Sequence, residues 1–136
     1  MRMRKELLLV LLALGSMPMQ ALPADDAQLK RGRLLFMQCR ACHDTEPSEA
    51  QKVGPNLHGI MGRAAAKGSE YAFSESLASS DIVWTAETLD RWIERPSALI
   101  PGTTMVFAGI TSSEDRAALV AFLEHATASS ESAKRR

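Results

Sequence analysis

Aromatic side chains, cysteines and net charge are all scarce in this sequence. Seven aromatics (four Phe, two Trp, one Tyr) make up 5% of its 136 residues. That is little ring volume for a core, so something else is expected to fill the middle. Sixteen basic side chains balance sixteen acidic ones, which removes the basic stripe that nucleic-acid binding requires. No apolar run approaches the roughly 20 residues of a membrane span. Alternation of apolar and polar residues is also missing, and with it the signature of half-buried strands. Cys39 and Cys42 are the two cysteines, and they belong to one five-residue motif.

Order at the N-terminus predicts a targeting segment. Arg2, Arg4 and Lys5 precede the apolar run Leu7 to Leu14, and Gly15, Ser16, Pro18 and Pro23 follow. A positive stretch, a short apolar stretch and small residues make up a secretory signal peptide. We place it over residues 1–24, with cleavage after Ala24 and Ala21 as the alternative. Export to a bacterial periplasm follows, with membrane association if the signal is retained. Without residues 1–24 the chain carries 13 basic and 15 acidic side chains, a net charge near −2. Residues 25–128 then form one domain and 129–136 a polar tail expected to fray.

The domain reads as all-α. Asp25 or Asp26 caps a helix over 27–38 that aligns Leu29, Gly32, Leu35 and Phe36. Residues 44–68 are rich in Gly and Pro and read as a long loop, a feature that in small domains often packs on something functional. A short helix is expected within 69–78. Thr85 caps a helix over 86–95 that groups Leu89, Trp92 and Ile93, and Pro96 ends it. Residues 97–100 form one more turn. Ser112 or Ser113 starts a last helix with Ala118, Leu119, Phe122, Leu123 and Ala126 along one stripe.

Cys39-Arg40-Ala41-Cys42-His43 carries the chemistry. Cys-x-x-Cys-His is the attachment signature of c-type haem. Two thiols three residues apart add to the two vinyl groups of a porphyrin, and His43 supplies an imidazole nitrogen to the iron. A thioredoxin-like pair would need a βαβ context, which is absent. Half a zinc site would need a second paired spacing, also absent. A disulfide across two residues would staple little. We therefore expect one haem c, covalent through Cys39 and Cys42, with its iron.

Candidates for the sixth iron ligand are Met37, Met61, Met105, His58 and His125. Met37 stands two residues before Cys39, on the wrong side. His125 reads as a solvated surface imidazole. Met61 and His58 lie in the loop just after the motif. Met105 follows the turn-rich Ile100-Pro101-Gly102-Thr103-Thr104 and lies far enough along the chain to wrap to the distal face. A thioether there favours Fe(II) and raises the potential.

These motifs stand in one order: Gly32-x-x-x-Phe36, Cys39 to His43, Gly54-Pro55-Asn56-Leu57-His58-Gly59 through Arg63, Ile82-Val83-Trp84, Pro96, Ile100 to Ile110, and Arg116 to Leu123. In that order the chain resembles a class I cytochrome c, similar to the mitochondrial type and its bacterial periplasmic relatives, over about residues 29–127. The resemblance implies three main helices and short helical turns wrapped around one covalently bound haem. It implies that Gly32 and Phe36 cross the last helix near Leu119 and Phe122. It gives His43 and Met105 to the iron, and the Pro55 carbonyl to the His43 Nδ1–H. Leu57 packs on the haem, Arg63 and Trp84 hold one propionate, Thr103 holds the other, and Phe107 covers the haem edge.

The chain also departs from the family. Trp92 stands where a tyrosine near the axial sulfur is common, and an indole N–H donates from a different point. Phe73 lacks a hydroxyl that often binds a propionate, and Leu77 replaces a frequent Asn. The family's ring of lysines around the haem edge gives way to Gln38, Ser97, Thr104, Thr111 and Ser112. The resulting expectation is a monomeric, soluble electron carrier, not an enzyme. It meets redox protein partners, a reductase or dehydrogenase as donor and an oxidase or reductase as acceptor, through a nearly neutral face. The alternatives are a haem enzyme or gas-binding protein with a displaceable sixth ligand, and a dedicated redox subunit of a dehydrogenase complex.

Overall fold

A computed structural model describes residues 24–128. The expected signal peptide, apart from Ala24, and the tail 129–136 lie outside the described residues. The elements in order are α1 (Asp26–Phe36), α2 (Glu75–Ala78), α3 (Ala86–Glu94), α4 (Pro96–Leu99) and α5 (Ser113–Ala126). No strand forms among the described residues; one isolated antiparallel bridge pairs Ala64 with Val83.

Side-chain caps set the helix starts. The Asp25 carboxylate accepts the Gln28 N–H at 2.7 Å and opens α1. Thr85 and Thr88 cap α3 reciprocally, each hydroxyl accepting the other's backbone N–H, which satisfies two donors that the first turn leaves free. Ser112 caps α5 through the Asp115 N–H. Ser74, itself extended, caps α2, which is only four residues long and fills the end of the 69–78 segment expected to hold it. Pro96 does more than end α3. It is the first residue of α4, where a proline lacks only an N–H that would have no partner anyway.

α1 and α5 pack chiefly on each other, and α3 packs on α5 and α4. Gly32 makes the α1–α5 crossing close: a Cβ there would collide with the Ala118 carbonyl oxygen and lie 2.6 Å from the Phe122 Cβ. One turn on, Phe36 meets Phe122 with ring centroids 5.4 Å apart. Around this crossing Leu77, Trp84, Leu89, Trp92, Ile93, Leu119, Val120 and Leu123 are buried. The loop between α1 and α2 is tied to the segment before α3 by Ala65 N–H to Ile82 O at 2.7 Å and Trp84 N–H to Arg63 O at 2.9 Å. Helices and loops together surround an apolar cavity.

Candidate functional site

The cavity has a volume of about 260 Å³. Every site residue named from the sequence lines it: Cys39, Cys42, His43, Pro55, Leu57, Arg63, Trp84, Trp92, Thr103, Met105 and Phe107. They come from the turn after α1, the following loop, the segment before α3, α3 itself and the loop between α4 and α5.

The first wall is the motif turn. Where α1 stops, the chain tightens: Cys39 N–H donates to Phe36 O at 2.8 Å and His43 N–H to Cys39 O at 2.9 Å. This single turn brings Cys39, Cys42 and His43 to the cavity. His43 is buried, and its Nδ1–H donates to the Pro55 carbonyl at 2.7 Å. That bond fixes the tautomer and leaves Nε2 as the nitrogen with a free lone pair. Burial lowers the His43 pKa, with the Pro55 carbonyl pulling the other way, a shift toward the neutral ring that a metal takes. Burial also pushes the Cys39 thiol up to about 11, with Cys42 adding to the shift. Gly54 lies against the His43 ring so closely that a Cβ would strike Cε1.

Lys52 staples the same turn. Its Nζ donates to Arg40 O at 2.8 Å and to the Asp44 carboxylate at 2.8 Å. The sequence reading missed it, because a lysine in a polar loop carries no local sign of its target. It also missed Tyr71, which lines the cavity and whose hydroxyl donates to Val53 O at 2.6 Å.

A further part of the lining comes from the loop after α4. Thr103 Oγ1 accepts the Met105 N–H at 3.3 Å. Of the five soft or imidazole donors considered for the sixth position, Met105 alone lines the cavity. Met37 and His125 are exposed, and His58 opens instead onto a separate surface cleft with Glu49 and Ser69. Arg63 donates to the His58 carbonyl at 3.0 Å. Trp84 and Trp92 meet edge to face at 5.5 Å between ring centroids. A paired thiol set, an imidazole held by the Pro55 carbonyl and an apolar cavity that also carries a thioether fit a haem.

The model of the cytochrome c family matches residues 29–127. The chain belongs to the cytochrome c family. It is 37% identical to cytochrome c2 of Rhodomicrobium vannielii over 93 residues, covering 68% of this chain and 74% of that protein. It is 38% identical to cytochrome c 2.1 of Caenorhabditis elegans over 113 residues, covering 82% and 99%. Among solved structures it is similar to cytochrome cH from Methylobacterium extorquens, with a TM-score of 0.66 and 36% identity over 71% of this chain and 97% of that one. This cytochrome is a haem-based electron carrier and not an enzyme. Its cofactor is one haem c, covalently bound through Cys39 and Cys42.

Proposed function

We propose that this cytochrome is an exported carrier of the bacterial periplasm in which His43 and Met105 would supply the two protein ligands of the haem iron. The observation that carries the ligand assignment is the placement of Met105, alone among the soft donors, on the cavity that also receives Cys39, Cys42 and His43. When bound, the haem supplies the Fe(III)/Fe(II) couple. The chain's own residues keep that couple in a fixed environment. Pro55 orients the His43 ring and makes it a better donor. Leu57 would pack on the haem, Phe107 would cover its edge, and a thioether from Met105 would favour the reduced state. Arg63 and Trp84 would hold one propionate, Thr103 would hold the other, and the Trp92 indole N–H would donate toward the Met105 sulfur; all of them line the cavity. Two fixed ligands leave little to rearrange when the electron moves, which suits an outer-sphere carrier between a donor and an acceptor protein. Export rests on the order of charged, apolar and small residues in 1–24; among the described residues no helix is long and apolar enough to cross a membrane.

Met105→Ala tests the ligand set. The oxidised parent protein should show the weak charge-transfer band of an iron–thioether bond, and the variant should lose it and drop in potential. Retention of both by the variant would refute the assignment.

A further inference from the structure

The segment that carries Met105 is tied down at its ends and free in its middle. Among the described residues, Thr104 to Gly109 make no backbone hydrogen bond to the rest of the protein beyond Met105 N–H to Thr103 Oγ1. At its start the chain is held by Ile100 N–H on Pro96 O at 2.9 Å. At its end the holding group is Arg116, a buried guanidinium on the first turns of α5. Its Nη1 donates to Ile110 O at 3.0 Å and to Thr111 O at 2.9 Å. Its Nε donates to the Asp90 carboxylate at 2.9 Å, and Glu94 lies 3.8 Å from Nη1. Asp90 and Glu94 belong to α3, so one side chain joins α3, α5 and the return of the loop. A second contact lies beside it. Gly109, at φ +96°, seats its backbone on the Glu94 carbonyl so closely that a Cβ would collide with it, and Ile110 N–H donates to Ile93 O at 2.9 Å.

We propose that Arg116 is a positioning residue for the sixth ligand: its clamp on Ile110 and Thr111 keeps the loop closed and Met105 in place. The proposal rests on the assignment of Met105 to the iron. A guanidinium suits the task because its planar fork reaches two carbonyls and a carboxylate at once, which an ammonium does with poorer geometry. Loss of the fork leaves two carbonyl acceptors without their donor and removes the side-chain bridge from the loop to Asp90, so that Ile110 N–H on Ile93 O is left to hold the loop on α3. The open-loop population then rises, and with it the rate at which an outside ligand finds the iron.

Cyanide binding to the oxidised haem protein reads this population directly. Arg116→Met should bind cyanide about tenfold faster than the parent or more, and Arg116→Lys should fall between them. Val120→Ala supplies the control, because Val120 is buried on α5 but does not line the cavity. At matched denaturant stability it should stay near the parent rate. Equal rates for Arg116→Met and Val120→Ala at matched stability would overturn the proposal, since the arginine would then act only through global stability. If Arg116→Met does not fold, Arg116→Lys and Asp90→Asn decide on the same criterion. Met105→Ala sets the upper limit of the rate. If it binds cyanide no faster than the parent, the ligand assignment itself has failed, and that result is distinct from a failure of the clamp.

Discussion

Ala66 sits at φ +56°, the single non-glycine residue with positive φ among the described residues, and it lines the cavity. A Cβ in that conformation crowds the following carbonyl and costs roughly 1–2 kcal/mol. Glycine removes the clash but adds freedom to the unfolded chain, which returns part of the gain. Ala66→Gly should therefore stabilise the protein by about 0.5–1 kcal/mol, seen as a melting temperature higher by a few degrees. A lower melting temperature would mean that the Ala66 methyl contributes more by packing than the backbone loses by strain. At this scale legibility was uneven. The Cys-x-x-Cys-His spacing announces its chemistry because the three side chains act on one small object. The His43–Pro55 bond came from family resemblance. Lys52 and Tyr71 were not legible, because each acts on a backbone carbonyl more than ten residues away and no side-chain pattern records that.

Gly32 decides how closely α1 and α5 approach, and the case tests whether packing or helix propensity rules an element. Propensity alone favours alanine over glycine in a helix by about 0.5–1 kcal/mol. The crossing opposes it, since the added Cβ would meet the Ala118 carbonyl and the Phe122 side chain. Both belong to a buried helix face that yields little, and overpacking of this kind costs about 1–3 kcal/mol. Gly32→Ala should lower the guanidinium chloride midpoint by an amount worth about 1–2 kcal/mol, with the slope of the transition unchanged. An unchanged or raised midpoint would show that α5 gives way freely. The helices themselves were readable from caps and periodicity, and α1, α3 and α5 lie where those signals placed them. The short elements were less so. Pro96 signals the end of one helix and the beginning of another with equal force, and only the tertiary position of the next turn decides between them. The 44–68 segment carries no period because its register is set by the cavity it borders. Arg116 was legible as the first residue of the last-helix motif but its clamp was not, because its partners are on α3 and a loop.

The rim of the cavity carries little charge, and its reactions with small redox reagents test whether partners are met through a neutral face. Val53 is 78% exposed and Val106 fully exposed, and both line the cavity together with the exposed neutral side chains Gln38 and Thr104. Ser97, Thr111 and Ser112 are exposed and uncharged as well. Several cations are occupied within the fold: Lys52 pairs with Asp44, Arg31 with Asp115 and Arg116 with Asp90. Lys67 is exposed on the lining and Arg40 on the motif turn, too few to make a positive ring. Charge rings act mainly on encounter rates, raising them steeply at low salt; without one, the field at the rim is expected to be weak. Oxidation of the reduced protein by anionic ferricyanide and by the cationic tris(phenanthroline)cobalt(III) complex measures that field with both signs. Both rate constants should change by less than about threefold as the Debye length falls from roughly 30 Å to 10 Å. A steep loss of rate with salt for one reagent and a gain for the other would reveal a strong local field, and the neutral-rim account of partner docking would fall with it. A weak dependence for both places recognition in shape and apolar contact at Val53 and Val106, and their replacement by lysine should restore salt sensitivity with ferricyanide.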